Sequence, residues 1–284
     1  MIVINKHTKN GMGFTLVELL VVVSITSTLL AVLMPSLNKV REQAKRVYCL
    51  SNMRQMTIAA NTYVNSNDQH FPISQWFDDK KSYGWDYVVD NVSNKIEPGL
   101  LWQGETIDKV NQCPSYKGSN NWSATQTYTG YNYNTSYIGH GQGENTTLNY
   151  TGQVISHPLW PSFYKIVMSA KINQVRSPGT CALFGDGHYS AGANKMMRSP
   201  FIWDGDNELS LKTAGTQGYR HNNQTNVAWV DGHATSKSEF YTDSYNLITG
   251  GSIDRVKADI DSYNKTAKIK IGFLSPDNSA YDLK

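Results

Sequence analysis

The sequence predicts an α+β chain in which one long N-terminal helix, first transmembrane and then amphipathic, packs on an antiparallel β-sheet globular domain with long loops. Three observations carry that expectation. Residues 14–34, FTLVELLVVVSITSTLLAVLM, form an apolar run broken by a single charge, Glu18. Between residues 36 and 66 apolar positions recur at spacings of three and four, the period of a helix with one buried face. Beyond residue 70 the chain turns to short β-type runs separated by stretches rich in Gly, Ser, Asn and Thr, the pattern of strands joined by loops.

The apolar run comes first. At ~1.5 Å per residue it covers a hydrocarbon core of ~30 Å, and no other segment is comparably apolar. A secretory signal peptide would have a shorter apolar core followed by a small-residue cleavage site. Here the run continues to Met34 and Pro35 and then enters a polar helix, while the short polar stretch, MIVINKHTKNGMG with Lys6, His7 and Lys9, precedes it and ends in Gly13. The expected organisation is therefore a leader at 1–13, a membrane helix at 14–35 kinked near Pro35, an amphipathic continuation at 36–69, and a globular domain at 70–284. A carboxylate inside a spanning helix costs roughly 2–4 kcal/mol at mid-bilayer and less toward an interface. Glu18 is thus expected either near the headgroups, favoured by the helix dipole, or paired with a positive group on a neighbouring subunit. An amine at Phe14, freed by cutting after Gly13, would be such a group.

In the continuation, Leu37, Val40, Ala44 and Val47 are expected to join through Leu50 to Met53, Met56, Ala60 and Tyr63 as one stripe packed on the domain. The pattern fades at NSNDQHFP, where Asn65–Asp68 and Pro72 supply the stop. In the domain, strands are expected in TCALFG (180–185), NVAWVD (226–231) and AKIKIGF (267–273), with weaker ones near 128–133 and 163–168. Stretches 115–130, 139–153 and 190–200 read as loops, and no long helical periodicity is evident after residue 70.

Composition narrows the function. Twenty-six basic against 23 acidic residues, a pI near 8.6 and no dense basic run give no reason to expect nucleic acid. Only 17% of residues are charged, and uncharged polar and aromatic residues are plentiful, a composition common outside the cytoplasm. Cys49, Cys113 and Cys181 are too widely spaced along the chain to read as a zinc cluster. They predict either one disulfide, with Cys49–Cys113 the first choice, or three thiols.

The segment RHNNQTNVAWVDGHATS sets His221 nine residues before Asp231-Gly232. Val227, Trp229 and Asp231 alternate with Ala228 and Val230, and Asp231-Gly232 is expected to close the strand in a tight turn. Two readings of His221 follow: a structural clasp onto that turn or onto Asp231, or a metal site. Carboxylates at Asp186, Asp204, Asp206 and Asp231 would suit Ca²⁺, whereas His188, His221 and His233 would suit Zn²⁺. No G-x-S-x-G or H-E-x-x-H motif is present, so no catalysis is expected. Trp76, Trp85, Trp102, Trp122, Trp160 and Trp203 read as packing rather than as a glycan platform.

GFTLVELLVVVSIT closely resembles the cleavage and methylation segment of type IV pilins and type II secretion pseudopilins. That resemblance implies cutting after Gly13 by a prepilin peptidase, N-methylation of Phe14, and a Glu18 that guides assembly by neutralising the amine of an adjacent subunit. It further implies a helix-kinking proline at Pro35, a Ca²⁺ in a C-terminal loop, and a pilin-like domain outside the inner membrane, in the periplasm or on the cell surface. The partners it implies are the peptidase/methyltransferase, copies of itself or other pilin-like subunits, and the inner membrane. The His-x9-Asp-Gly spacing of His221, Asp231 and Gly232 resembles a motif of a pilin-like family with the same leader type. CLSNMRQ (49–55), Cys113-Pro114-Ser115, Tyr131-Asn132-Tyr133 and the strand ending in Asp186 match it too. Two lysines precede the span, and Lys39, Arg41, Lys45 and Arg46 follow it. By charge alone that would leave the domain in the cytoplasm, but an enzyme-read leader outweighs it, and the four basic residues read as a solvated helix face or a contact to lipid headgroups. The alternatives to a filament subunit are a membrane-anchored metal-dependent enzyme and a glycan-binding exported domain.

Overall fold

The computed structural model describes residues 14–78, 80–103, 110–116, 130–140, 154–156, 165–189, 192, 194–202, 215–246 and 251–281. Helix α1 spans Leu16–Ser66, and the chain divides into a unit Met1–Glu42 and a unit Gln43–Lys284. The helix opens on a reciprocal cap. Thr15 N–H donates to Glu18 Oε2 at 2.8 Å while Glu18 N–H donates to Thr15 Oγ1 at 3.2 Å, which satisfies two of the free amides of the first turn. Along the apolar run Ser24, Thr26 and Thr28 turn their hydroxyls back to the carbonyls of Leu20, Val22 and Ser24 at 2.8, 2.9 and 2.9 Å, so these polar atoms are satisfied within the helix. The helix continues through Pro35, and Ser36 Oγ donates to Leu33 O at 2.7 Å. It stops where expected: Asn67 Nδ2 caps Tyr63 O at 2.8 Å, and Asp68 and Gln69 turn left-handed.

The second half of α1 buries Cys49, Met53, Met56, Ala60 and Val64 against the domain. The single stripe expected from the sequence is therefore corrected. Leu37, Val40 and Val47 are exposed, and Leu50 and Tyr63 are only half-buried. At 3.6 residues per turn the Leu37–Val47 stripe lies on the opposite helix face from Cys49–Val64. Equal spacing along a helix does not show that two stripes share a face.

The domain's strands are β1 (Gln75–Phe77), β2 (Lys81–Gly84), β3 (Tyr87–Asp90), β4 (Ile96–Pro98), β5 (Asn132–Asn134), β6 (Val154–Ser156), β7 (Lys165–Val167), β8 (Ala182–Gly185), β9 (Met196–Met197), β10 (Phe201–Ile202), β11 (Gln217–Tyr219), β12 (Thr225–Trp229), β13 (Ala234–Lys237), β14 (Tyr245–Asn246) and β15 (Lys270–Gly272). Strands β1 to β4 form an antiparallel meander, with Trp76 stacked on its cross-strand partner Tyr83 at 3.9 Å. The main sheet runs β13-β12-β8-β5-β9. Its first four strands are antiparallel, and β9 joins β5 in parallel, so the sheet is mixed rather than antiparallel throughout. A helix that the sequence did not suggest, α2 (Asp254–Thr266), buries Val256 and Ile260 against Ile271 and Phe273. Two apolar residues one turn apart suffice there, too few to register as a periodicity.

Strand β12 is buried on both faces. Ala228 and Val230 meet the α1 side, with Trp85, Tyr133 and Phe184, while Val227 and Trp229 meet Leu274, Ala280 and Tyr281. The meander is tied to the main sheet by a buried ion pair: Lys195 Nζ stands 2.6 Å from Asp86 Oδ2, and Trp85 Nε1 donates to Lys195 O at 3.2 Å.

Candidate functional site

Among the described residues two places carry chemistry. The first is the start of α1. Glu18 accepts from both the Thr15 amide and the Thr15 hydroxyl, at 2.8 and 2.7 Å, and both bonds end on Oε2; Oε1 takes neither. Around and beyond it Leu16, Val17, Leu20, Val22, Ile25, Leu29 and their neighbours are all exposed. Among the described residues this is the one helix long and apolar enough to cross a membrane, and a membrane anchor and a signal sequence both fit that description. The sequence reading did not single out Thr15, although Thr-x-x-Glu before an apolar run is the signature of a capping box. Gly13 lies outside the described residues.

The second place is inside the domain. Cys49 on α1, Cys113, Asp186 at the end of β8 and His221 converge so that one ligand atom from each lies within 4.8 Å of all the others, and all four side chains are fully buried. The Cys49 thiol reaches Cys113 Sγ at 2.9 Å, Cys113 Sγ is 3.6 Å from His221 Nε2, and His221 Nε2 is 3.3 Å from Asp186 Oδ2. All three cysteines are thiols; Cys181 stands apart and bonds to Tyr281 O.

Local structure explains each placement. His221 and Gln224 exchange backbone hydrogen bonds at 3.0 and 3.1 Å, and Asn222 and Asn223 between them are both left-handed, a two-residue turn of the type Asn favours. That turn leads into β12 and holds His221 at its head. Asn226 N–H donates to Asp186 Oδ2 at 2.7 Å and fixes the carboxylate from the neighbouring strand. Arg220, buried beside them, faces Asp186 Oδ1 at 3.5 Å, donates to the carbonyls of Gly130 and Gly187, and lies over the Tyr116 ring at 5.3 Å.

The charges couple. Burial pushes the Cys49 thiol far above its ordinary value. Burial acts on Cys113 the same way, but the Cys49 hydrogen bond, the Arg220 charge and His221 outweigh it and bring that thiol down to about 5. Burial favours a neutral His221, yet the Asp186 charge and hydrogen bond, with Cys113, raise it to about 9. The neighbours thus favour the charged form of Cys113 and of His221. None of the four side chains is exposed. Two thiols beside an imidazole and a carboxylate are donors that can hold a cation.

The sequence-predicted sites divide between these neighbours. His221 and Asp231 sit at opposite ends of β12 and do not clasp each other. Asp231 instead bonds His233, with Oδ1 2.6 Å from His233 Nδ1 and 3.1 Å from its backbone nitrogen. Gly232 has φ +97 and closes the β12–β13 turn with Gly232 N–H on Trp229 O, as the Asp-Gly pair suggested. Asp186 and Asp231 are likewise at opposite ends of the β8–β12 pair and form no common site; Asp204 and Asp206 lie outside the described residues. His188 bonds Tyr263 Oη at 3.1 Å and does not join His221 or His233. Sequence spacing ruled out a cysteine cluster because it counts residues along the chain. The fold instead gathers single donors from four distant segments.

Of the six tryptophans read as packing, Trp85 and Trp102 are buried in the core and Trp76 is half-buried in its stack; Trp122, Trp160 and Trp203 lie outside the described residues. Comparison of the chain with protein-family models, with curated proteins and with solved structures finds no match.

Proposed function

We propose that this chain is a structural pilin-like subunit, a pseudopilin of a type II secretion or type IV pilus-like filament, held in the inner membrane by α1 until it assembles. The observation that carries the reading is the start of α1: an apolar helix exposed over its first turns, opening at Thr15 and carrying its one early charge at Glu18, directly after Gly13-Phe14. A prepilin peptidase would cut after Gly13 and methylate Phe14. The Glu18 oxygen not used by Thr15 would meet the terminal amine of a neighbouring subunit, which offsets the cost of a carboxylate in an apolar surround. The exposed apolar face would pass from lipid to neighbouring helices, and the domain would stand outside the membrane. The burial of Cys49, Cys113, Asp186 and His221 gives no support to an enzymatic role for that cluster.

Two substitutions separate the carboxylate's roles. Glu18→Gln keeps a side chain that serves equally well in the cap but removes the charge, and should abolish incorporation into sheared surface filaments. Thr15→Val removes the capping hydroxyl, at about 1 kcal/mol of helix stability, and should leave incorporation nearly unchanged. If both variants assemble like the parent, Glu18 has no role in subunit pairing.

A further inference from the structure

We propose that Cys49, Cys113, Asp186 and His221 form a closed tetrahedral site for a thiophilic divalent cation, with Zn²⁺ the ion its donors fit best. Thiolate, imidazole and carboxylate are all zinc donors, and a site closed by four protein ligands is of the structural kind; here two sulfurs, one nitrogen and one oxygen meet from four chain segments with every pair of ligand atoms within 4.8 Å. Tetrahedral Zn²⁺ with bonds of about 2.0–2.3 Å sets its ligands roughly 3.3–3.8 Å apart. The Cys113–His221 and His221–Asp186 separations, 3.6 and 3.3 Å, already lie in or at that range. The sulfurs, at 2.9 Å, have to part by about 1 Å, within reach of small side-chain rotations.

Charge points the same way. Two thiolates and one carboxylate carry three negative charges; Arg220 offsets one, and a divalent cation offsets the other two, so a fully buried cluster becomes neutral. The carboxylate is also fixed in place beside the sulfurs: Asp186 Oδ2 is held by the Asn226 amide, and Oδ1 faces Arg220 at 3.5 Å. A disulfide between Cys49 and Cys113 would account for two of the four residues and leave the convergence of His221 and Asp186 on them unexplained. The site would pin α1 to the sheet at Cys49, the first fully buried residue of the helix. It goes beyond the filament role and does not depend on it.

The test uses the full chain in detergent, purified anaerobically with reductant and without chelator. Elemental analysis should find about one zinc per chain, and zinc-edge X-ray absorption should fit two sulfur and two nitrogen or oxygen neighbours. After exchange with Co²⁺ alone, thiolate-to-metal charge-transfer bands and intense tetrahedral d–d bands should appear. His221→Ala should weaken Co²⁺ binding by more than the ~10–100-fold typical of a residue that only orients a ligand; the unmodified chain decides the matter should that variant fail to fold. Three results would overturn the proposal: no zinc and no cobalt spectrum in the reduced chain, a cobalt spectrum without sulfur charge transfer, or a Cys49–Cys113 disulfide trapped quantitatively by acid and alkylation straight from cells.

Discussion

The ammonium of Lys195 stands 2.6 Å from Asp86 Oδ2 with both side chains buried, and it also lies 5.4 Å from the Tyr87 ring centroid. Such a pair adds little over an apolar substitute, but breaking it strands a charge. Lys195→Met should therefore cost about 3–5 kcal/mol in denaturant unfolding of the full chain in detergent. Adding Asp86→Asn should recover much of that loss. A double variant as unstable as the single would show that the pair is not what joins the meander to the main sheet. No sequence pattern pointed to this contact, because neither residue lies in a motif and they are more than a hundred positions apart. The same limit applies to Asp186-Gly187-His188 and Asp231-Gly232-His233. The tripeptides are identical, yet one places its aspartate in a buried sulfur cluster and the other makes a half-exposed turn. Local sequence gives the turn; only tertiary neighbours give the role.

At the scale of elements, α1 behaves as two helices joined end to end. Its first half carries apolar side chains that stay exposed, and its second half buries Cys49, Met53, Met56, Ala60 and Val64. Met56→Ala should then destabilise the domain by about 2–5 kcal/mol. Val40→Ala should change it by less than about 0.5 kcal/mol, both read by the same unfolding assay. A large effect of Val40→Ala would mean that the upper stripe packs on the domain after all. The ends of α1 were legible because the apolar run begins abruptly at Phe14 and the Asn-Ser-Asn-Asp stop acts locally. So were β5, β7, β8, β12 and β15, whose β-branched and aromatic runs stand out from polar surroundings. The meander and α2 were not. The meander strands mix Lys81, Ser82, Asp90 and Glu97 with their apolar residues and so do not stand out from polar surroundings, and a helix with two fully buried side chains carries too few apolar positions for a period to show.

At the scale of the whole molecule, acid should loosen the domain. Burial, with the nearby Arg198 charge, holds His140 down at about 4 from an ordinary 6.5. Below pH 6.5 the unfolded chain takes up a proton that the folded chain refuses, so the stability this residue contributes is whole above 6.5 and drains away as pH falls toward 4. Up to about 3 kcal/mol is at stake over that window. His140→Phe should flatten the pH dependence of unfolding between 6.5 and 4, and an unchanged slope would remove His140 from the account. The α+β architecture was legible at this scale because its signals are local and repeated. The buried cluster was not, since its four donors become neighbours only once helix, sheet and turn have packed.

The central claim is that the chain is processed at Gly13-Phe14 and assembles through α1. The most direct test is the intact mass and N-terminal peptide of the protein taken from native membranes or sheared surface fractions. A chain beginning at N-methylated Phe14 is the expected result. A chain that still begins at Met1, with its domain exported, would contradict the account and leave α1 as a plain membrane anchor.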